Sequence, residues 1–235
     1  MFAIIMTVLL GAVLAFTSES LKEKQAAERE FERKKFILSA ALGSEKIKTM
    51  AKEDRAQVEE LYNSRVKDYV VDNAGEKIDG LGAGDVNVRK EYKLAVEERK
   101  LPVYTLSKDG SEEVEFYILP VYGYGLWDNI FGFVSLQSDL NTVQGVILDH
   151  VGETPGLGAR ITETAVQNRY IGKSIYEGDN LVSVDMQKGE GVDYSSDPHK
   201  INGMTGATIT GVGVNEMMLN YLTLYENFFN QVKGE

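Results

Sequence analysis

Residues 103–119, VYTLSKDGSEEVEFYIL, settle the fold class. Two apolar runs, Val103–Leu106 and Val114–Leu119, flank a polar turn containing Asp109-Gly110, the pattern of an antiparallel hairpin. Downstream, Ile130–Leu136 and Val143–Leu148 read as two more strands, parted by the turn Ser138-Asp139-Leu140-Asn141. A helix-like piece spans Ile161–Tyr170, and Leu181–Met186 reads as a further strand. The chain closes with an amphipathic helix, Gly213–Lys233. Its apolar positions Val214, Met218, Tyr221, Leu222, Tyr225, Phe229 and Val232 recur at spacings of three and four. The fold class is therefore α+β: one mixed, largely antiparallel sheet domain packed with helices.

Upstream the texture is helical. Residues 1–16 read MFAIIMTVLLGAVLAF, and the first charge is Glu19. Eighteen uncharged residues span ~27 Å as helix, slightly less than the ~30 Å hydrocarbon core. This is read as a transmembrane anchor helix, residues 1–18. The competing reading, a cleaved signal peptide, lacks a basic leading region and an A-x-A site. Leu21–Leu42 continues as helix without Gly or Pro, Gly43-Ser44 breaks it, and Glu45 to Lys67 is a second polar helical stretch. Residues 19–70 are thus expected to form a helical neck and 71–235 the folded domain. Asp72-Asn73-Ala74-Gly75 marks a turn, while Val86–Glu98 mixes strand and helix signals and stays open. Lys22, Lys24, Arg29, Arg33, Lys34 and Lys35 after the anchor would by themselves place this side in the cytoplasm.

Composition removes several function classes. Among 235 residues, 25 Lys and Arg face 36 Asp and Glu, a net charge of −11, so nucleic acid is not an expected partner. No cysteine exists, which excludes disulfides, thiolate chemistry and Cys-ligated iron–sulfur clusters. Only His150 and His199 are available to a metal site or a His-based triad; His150, at the end of an apolar run, reads as a structural or rim histidine. Gly172-Lys173-Ser174 is not a P-loop, because Gln167 stands where its first Gly belongs. Gly80-Leu81-Gly82-Ala83-Gly84 is a turn without the spacing of a dinucleotide fingerprint.

Two segments stand apart. Gly152-Glu153-Thr154-Pro155-Gly156-Leu157-Gly158 follows a strand and offers backbone amides plus the Leu157 side chain to a flat ligand; it also reads as a plain tight connection. Asn202-Gly203-Met204-Thr205-Gly206-Ala207-Thr208-Ile209-Thr210 precedes the last helix, whose N-terminus suits a phosphate. Thr210 reads equally as a simple N-cap.

Taken together, these segments resemble a known family. Thr205-Gly206-Ala207-Thr208 resembles the (S/T)-G-A-T motif of extracytoplasmic flavin-binding domains, and Gly152–Gly158 their E-T-P-G-L-G loop. Tyr124-Gly125-Leu126-Trp127, followed by Phe131-Gly132-Phe133-Val134, is similar to their G-L-W…G-F-V segment. The chain is identified as a member of this FMN-binding domain family, in the form found in the C subunit of sodium-translocating NADH:quinone reductases. The related G subunit of the Rnf complex is the alternative, against which Leu126-Trp127 argues. A cofactor-free, membrane-anchored assembly module is a third reading and leaves the motif unexplained.

The resemblance implies FMN bound covalently through a phosphoester to Thr208, with Thr205, Gly206, Ala207 and Thr210 around it and Lys200 as a phosphate or acidic-residue partner. It implies that Leu126, Trp127 and Leu157 pack on the isoalloxazine, although Trp127 also reads as a core tryptophan. Glu153 and Thr154 would bond the ring or fix the loop that Gly156 and Gly158 shape. The family usually has Asp six residues before the acceptor, where this chain has Asn202. No catalytic residue, metal or substrate pocket is expected. The implied function is electron relay between NADH oxidation and quinone reduction, coupled to sodium export. The implied partners are flavin- and iron–sulfur-bearing subunits, a flavin transferase that uses FAD, and membrane lipid. The implied location is the bacterial inner membrane, single-pass, with the domain on the periplasmic side; the motifs outweigh the flanking charges.

Overall fold

The computed structural model describes residues 1–234; Glu235, the last residue of the expected domain, lies outside them. Five strands form one antiparallel meander: β1 (Val66–Val71), β2 (Leu101–Ser107), β3 (Val114–Tyr124), β4 (Asn129–Gln137) and β5 (Val143–His150), each bonded to its neighbours in sequence. The hairpin is in register with Tyr104 opposite Ile118 and Leu106 opposite Phe116. Side chains alternate between two faces. Val103, Tyr117, Leu119 and Val134 point into one core, Tyr104, Phe116, Ile118 and Ile147 into another. Both faces are covered by helices, which is why these strands read as nearly unbroken apolar runs instead of a clean alternation.

One face carries the C-terminal helices α6 (Thr208–Leu224) and α7 (Glu226–Gly234). The single amphipathic helix expected over Gly213–Lys233 is thus two, starting at Thr208 and interrupted at Tyr225. The other face carries α1 (Phe2–Leu42), α2 (Ser44–Glu53) and α3 (Arg55–Arg65). Helix α1 has 41 residues and is about 60 Å long. Residues 2–30 of it are exposed, and from Phe31 onward it turns Ile37, Leu38, Ala40 and Ala41 into the core. By length and composition α1 is able to cross a membrane.

The expected neck therefore shortens to residues 19–30. Residues 31–65 pack on the sheet, and 66–71 form its first strand. The second polar stretch is divided by Asp54, whose Oδ1 accepts from the Ala56 N–H at 2.9 Å as an N-cap.

Between the sheet and α6 the chain is mostly irregular. A one-turn helix, α4 (Val88–Glu91), lies in the segment the sequence left open. The expected helix over Ile161–Tyr170 is instead a 3-10 turn (Gly158–Thr162), one turn of α5 (Thr164–Gln167) and a second 3-10 turn. The expected strand over Leu181–Met186 is broken at Ser183 (φ 63°). It contributes to two small pairs: β6 (Tyr176–Glu177) with β7 (Asn180–Leu181), and β8 (Asp185–Met186) parallel to β9 (Lys200–Ile201).

Candidate functional site

Strand β3 ends at Tyr124, β5 at His150, and α6 begins at Thr208, so the three motif segments belong to loops leaving one sheet and the helix packed on it. Glu153 joins them. The residue is only 4% exposed. Oε1 accepts from the Trp127 backbone N–H at 2.8 Å and Oε2 from the Thr210 hydroxyl at 2.6 Å. The backbone N–H groups of Asp128 and Leu126 also donate to it. Burial pushes its carboxyl pKa up, but these hydrogen bonds outweigh burial and leave it below the usual glutamate value. Its own N–H donates to His150 Nδ1 at 3.2 Å, so His150 holds this loop as an acceptor, in keeping with a structural histidine.

Thr210 is accordingly not the N-cap of α6. That position is Ala207, and no side chain caps the helix. Thr210 points inward to Glu153, while Thr208 and Ile209 face solvent. An uncapped N-terminus on a 17-residue helix presents free N–H groups and the positive end of the dipole.

Close packing sets the two loops against each other. Gly206 has φ 80°, a conformation that favours glycine, and a Cβ there would lie 2.8 Å from Leu157 Cδ2. A Cβ on Gly158 would lie 2.3 Å from Glu153 Oε2 and 2.5 Å from Thr210 Oγ1. Within the glycine loop, the Thr154 carbonyl accepts from Leu157 and Ala159, closing a turn with Gly156 at φ 76°. Thr154 itself is exposed.

The rim is apolar and open. Trp127 is 69% exposed, so it is not a core tryptophan, and Leu126, Leu157, Ile209 and Val212 are also exposed. An exposed hydroxyl at an uncapped helix N-terminus, bordered by small residues and with uncovered aromatic and aliphatic side chains on the adjoining loops, fits a flavin phosphate and its ring.

A second set of contacts holds the Asn202–Thr205 segment. Arg169 donates to the carbonyls of Asn202, at 3.0 Å, and Gly203, and its other guanidinium nitrogen pairs with Glu190 at 2.8 Å. Arg160 pairs with Glu190 at 3.0 Å, and Glu190 accepts from the Thr205 N–H at 3.4 Å. The hydrogen bonds from Arg160 and Arg169 draw the Glu190 carboxyl down to about 2. Asn202 bonds the Val192 backbone through its side-chain amide, Oδ1 accepting at 3.1 Å. Lys200, expected as a partner of the phosphate or of an acidic residue, pairs with the carboxylate of Asp197 at 3.2 Å. Arg160, Arg169 and Glu190 carry no local sequence signal, because the ion pairs that define them join positions 21 and 30 residues apart.

The FMN-binding domain family matches residues 125–223, a span that begins at the Leu126-Trp127 loop and includes most of α6. The C subunit of the Na(+)-translocating NADH-quinone reductase of Pseudomonas aeruginosa is 31% identical over 92% of this chain and 87% of its own length. The chain belongs to the C-subunit family of these reductases. The Neisseria meningitidis serogroup A relative of the same name is also 31% identical, over 87% of this chain and 79% of its own. The solved structure of the Parabacteroides distasonis C subunit superimposes with a TM-score of 0.74 at 30% identity, covering 89% of this chain and 96% of that one. That of the Shewanella oneidensis protein gives 0.72 at 25% identity, covering 89% and 100%. The family's α+β architecture is therefore the one seen in this chain.

Proposed function

We propose that this chain carries FMN, joined through its phosphate to Thr208, and relays electrons within a sodium-translocating NADH–quinone reductase. The observation that carries this reading is the placement of Thr208. Its hydroxyl is exposed at the uncapped start of α6, beside exposed Leu126, Trp127 and Leu157 and within the span of the FMN-binding match.

FMN, when bound, supplies reversible redox chemistry, accepting and releasing electrons singly or in pairs. The protein's residues hold and orient it. The first-turn N–H groups of α6 would hold the phosphate. Gly206 and Ala207 leave the Thr208 hydroxyl accessible. Trp127, Leu126 and Leu157 offer surfaces to the ring. An alcohol is a weak nucleophile at neutral pH, and among the described residues no base is bonded to Thr208, so attachment falls to a separate flavin transferase. Such a transfer would form the Thr208 Oγ–phosphorus bond as the phosphoanhydride bond of FAD breaks, with AMP as leaving group and the hydroxyl proton lost to a base outside this chain.

The proposed setting is single-pass in the bacterial inner membrane, with residues 1–18 as anchor and the sheet domain on the periplasmic side. Electrons pass from a reduced partner centre to an oxidised one, on the path from NADH to quinone that drives sodium export. The neighbours are the other redox subunits and the surrounding lipid.

The test is a denaturing gel of the native, membrane-extracted chain viewed under ultraviolet light. A flavin band surviving denaturation and vanishing in Thr208→Ala is expected. Retention in Thr208→Ala with loss in Thr205→Ala overturns the assignment.

A further inference from the structure

We infer that Glu153 is a potential-setting residue: a fixed buried negative charge that lowers the midpoint potential of the flavin held at this site. The inference rests on the flavin reading above and adds to it a role for a side chain that need not touch the cofactor.

Three observations combine. First, the carboxylate is buried, and all the donors placed on it are neutral: the Thr210 hydroxyl and backbone N–H groups of residues 126–128. Second, among the described residues no Lys, Arg or His pairs with it. Arg160 is engaged by Glu163 and Glu190, and His150 Nδ1 accepts from the Glu153 backbone N–H and not from its carboxylate. Buried charges are ordinarily paired. Here neutral dipoles hold the ion and no cation cancels its net charge, so that charge acts on a group placed beside it. Third, its direct partners are the flavin-site residues themselves. Trp127 lies on one side, and on the other is Thr210, two residues from Thr208 on the same first turn of α6.

The sign follows. A flavin taking one electron from a reduced partner gains one negative charge unless a proton follows, and the partner loses that electron. A nearby anion disfavours the gain. Carboxylate also serves the fold here, and a neutral amide of the same shape would fill the space without the charge.

The experiment compares Glu153→Gln with Thr210→Val in the full-length, flavin-bearing chain by spectroscopic potentiometric titration. Titration reads only molecules that carry flavin, so partial loading does not disturb it. Glu153→Gln removes the charge and keeps the shape; Thr210→Val loosens the clasp and keeps the charge. The expected result is a positive shift of the midpoint in Glu153→Gln and no positive shift in Thr210→Val. No shift in Glu153→Gln, equal positive shifts in both, or complete loss of flavin in Glu153→Gln alone overturns the inference. A wild-type chain without flavin removes the flavin reading itself, a failure distinct from the others.

Discussion

Single atoms at Glu153 decide how the motif loops meet. The carboxylate ties the Leu126–Asp128 turn to the first turn of α6, and Gly158 leaves room for both of its partners. Gly158→Ala would place a methyl group within 2.5 Å of Oε2 of Glu153 and of the Thr210 hydroxyl, forcing the clasp open. It is expected to destabilise the fold by about 1–3 kcal/mol, read as a lowered urea midpoint with unchanged slope, and, on the proposed attachment, to reduce the flavin band. Sequence marked Glu153, Gly158 and Thr210 as site residues but not their joint geometry. Thr210 in particular looked like a helix cap, because a hydroxyl near a helix start usually serves one. The cap position is one residue before Thr208, and that depends on where β9 and the Arg169–Glu190 contacts deliver the chain.

Helix α6 shows an element whose local preference and tertiary role conflict. Its sequence includes Gly211 and Gly213, poor helix formers. A Cβ on Gly213 would lie 2.2 Å from the Tyr124 carbonyl oxygen, so the glycine lets the helix press on the end of β3, next to the Leu126-Trp127 loop. Propensity alone gives Gly213→Ala a gain of about 1 kcal/mol. The backbone contact reverses the sign. A net loss of about 1–2 kcal/mol is expected from overpacking against a carbonyl that has little freedom to move, measured by thermal or chemical unfolding. The hairpin at 103–119 was legible because its periodicity and turn are local. Strand β1 was not: Lys67 and Asp68 interrupt its apolar run, and no Gly or Pro separates it from α3. Pairing with β2, from Val66 opposite Leu106 to Val71 opposite Leu101, makes it a strand.

Across the whole molecule, the placement of α1 has the largest consequence. Residues 1–30 contribute nothing to either core, whereas Phe31, Ile37, Leu38, Ala40 and Ala41 close one face of the sheet with Ile47, Val58 and Tyr62. A chain beginning at residue 19 is expected to fold, stay soluble and unfold cooperatively. One beginning at residue 72, near the boundary the sequence implied, loses β1 and the whole covering layer, exposing Tyr104, Phe116, Ile118 and Ile147. That chain is expected to aggregate or to lack a cooperative transition by circular dichroism. A cooperative transition in it would show that the helical layer is dispensable. The stand-off from the end of the uncharged stretch to Phe31 is twelve residues of continuous helix, about 18 Å.

Features written in neighbouring residues were readable without coordinates: the uncharged leader, the hairpin and its two following strands, the final helical region, and the motifs that mark Thr208. Apolar periodicity, turn chemistry and motif order need no distant partner. Features that join remote parts of the chain emerged with folding. Most of the expected neck became a layer of the domain, Trp127 stayed out of the core, Thr210 went to Glu153, and Arg160, Arg169 and Glu190 gathered around the Asn202–Thr205 segment. Most of these outcomes depend on which surfaces must be buried together and which buried polar atoms must find partners, and those partners commonly lie tens of residues away along the chain.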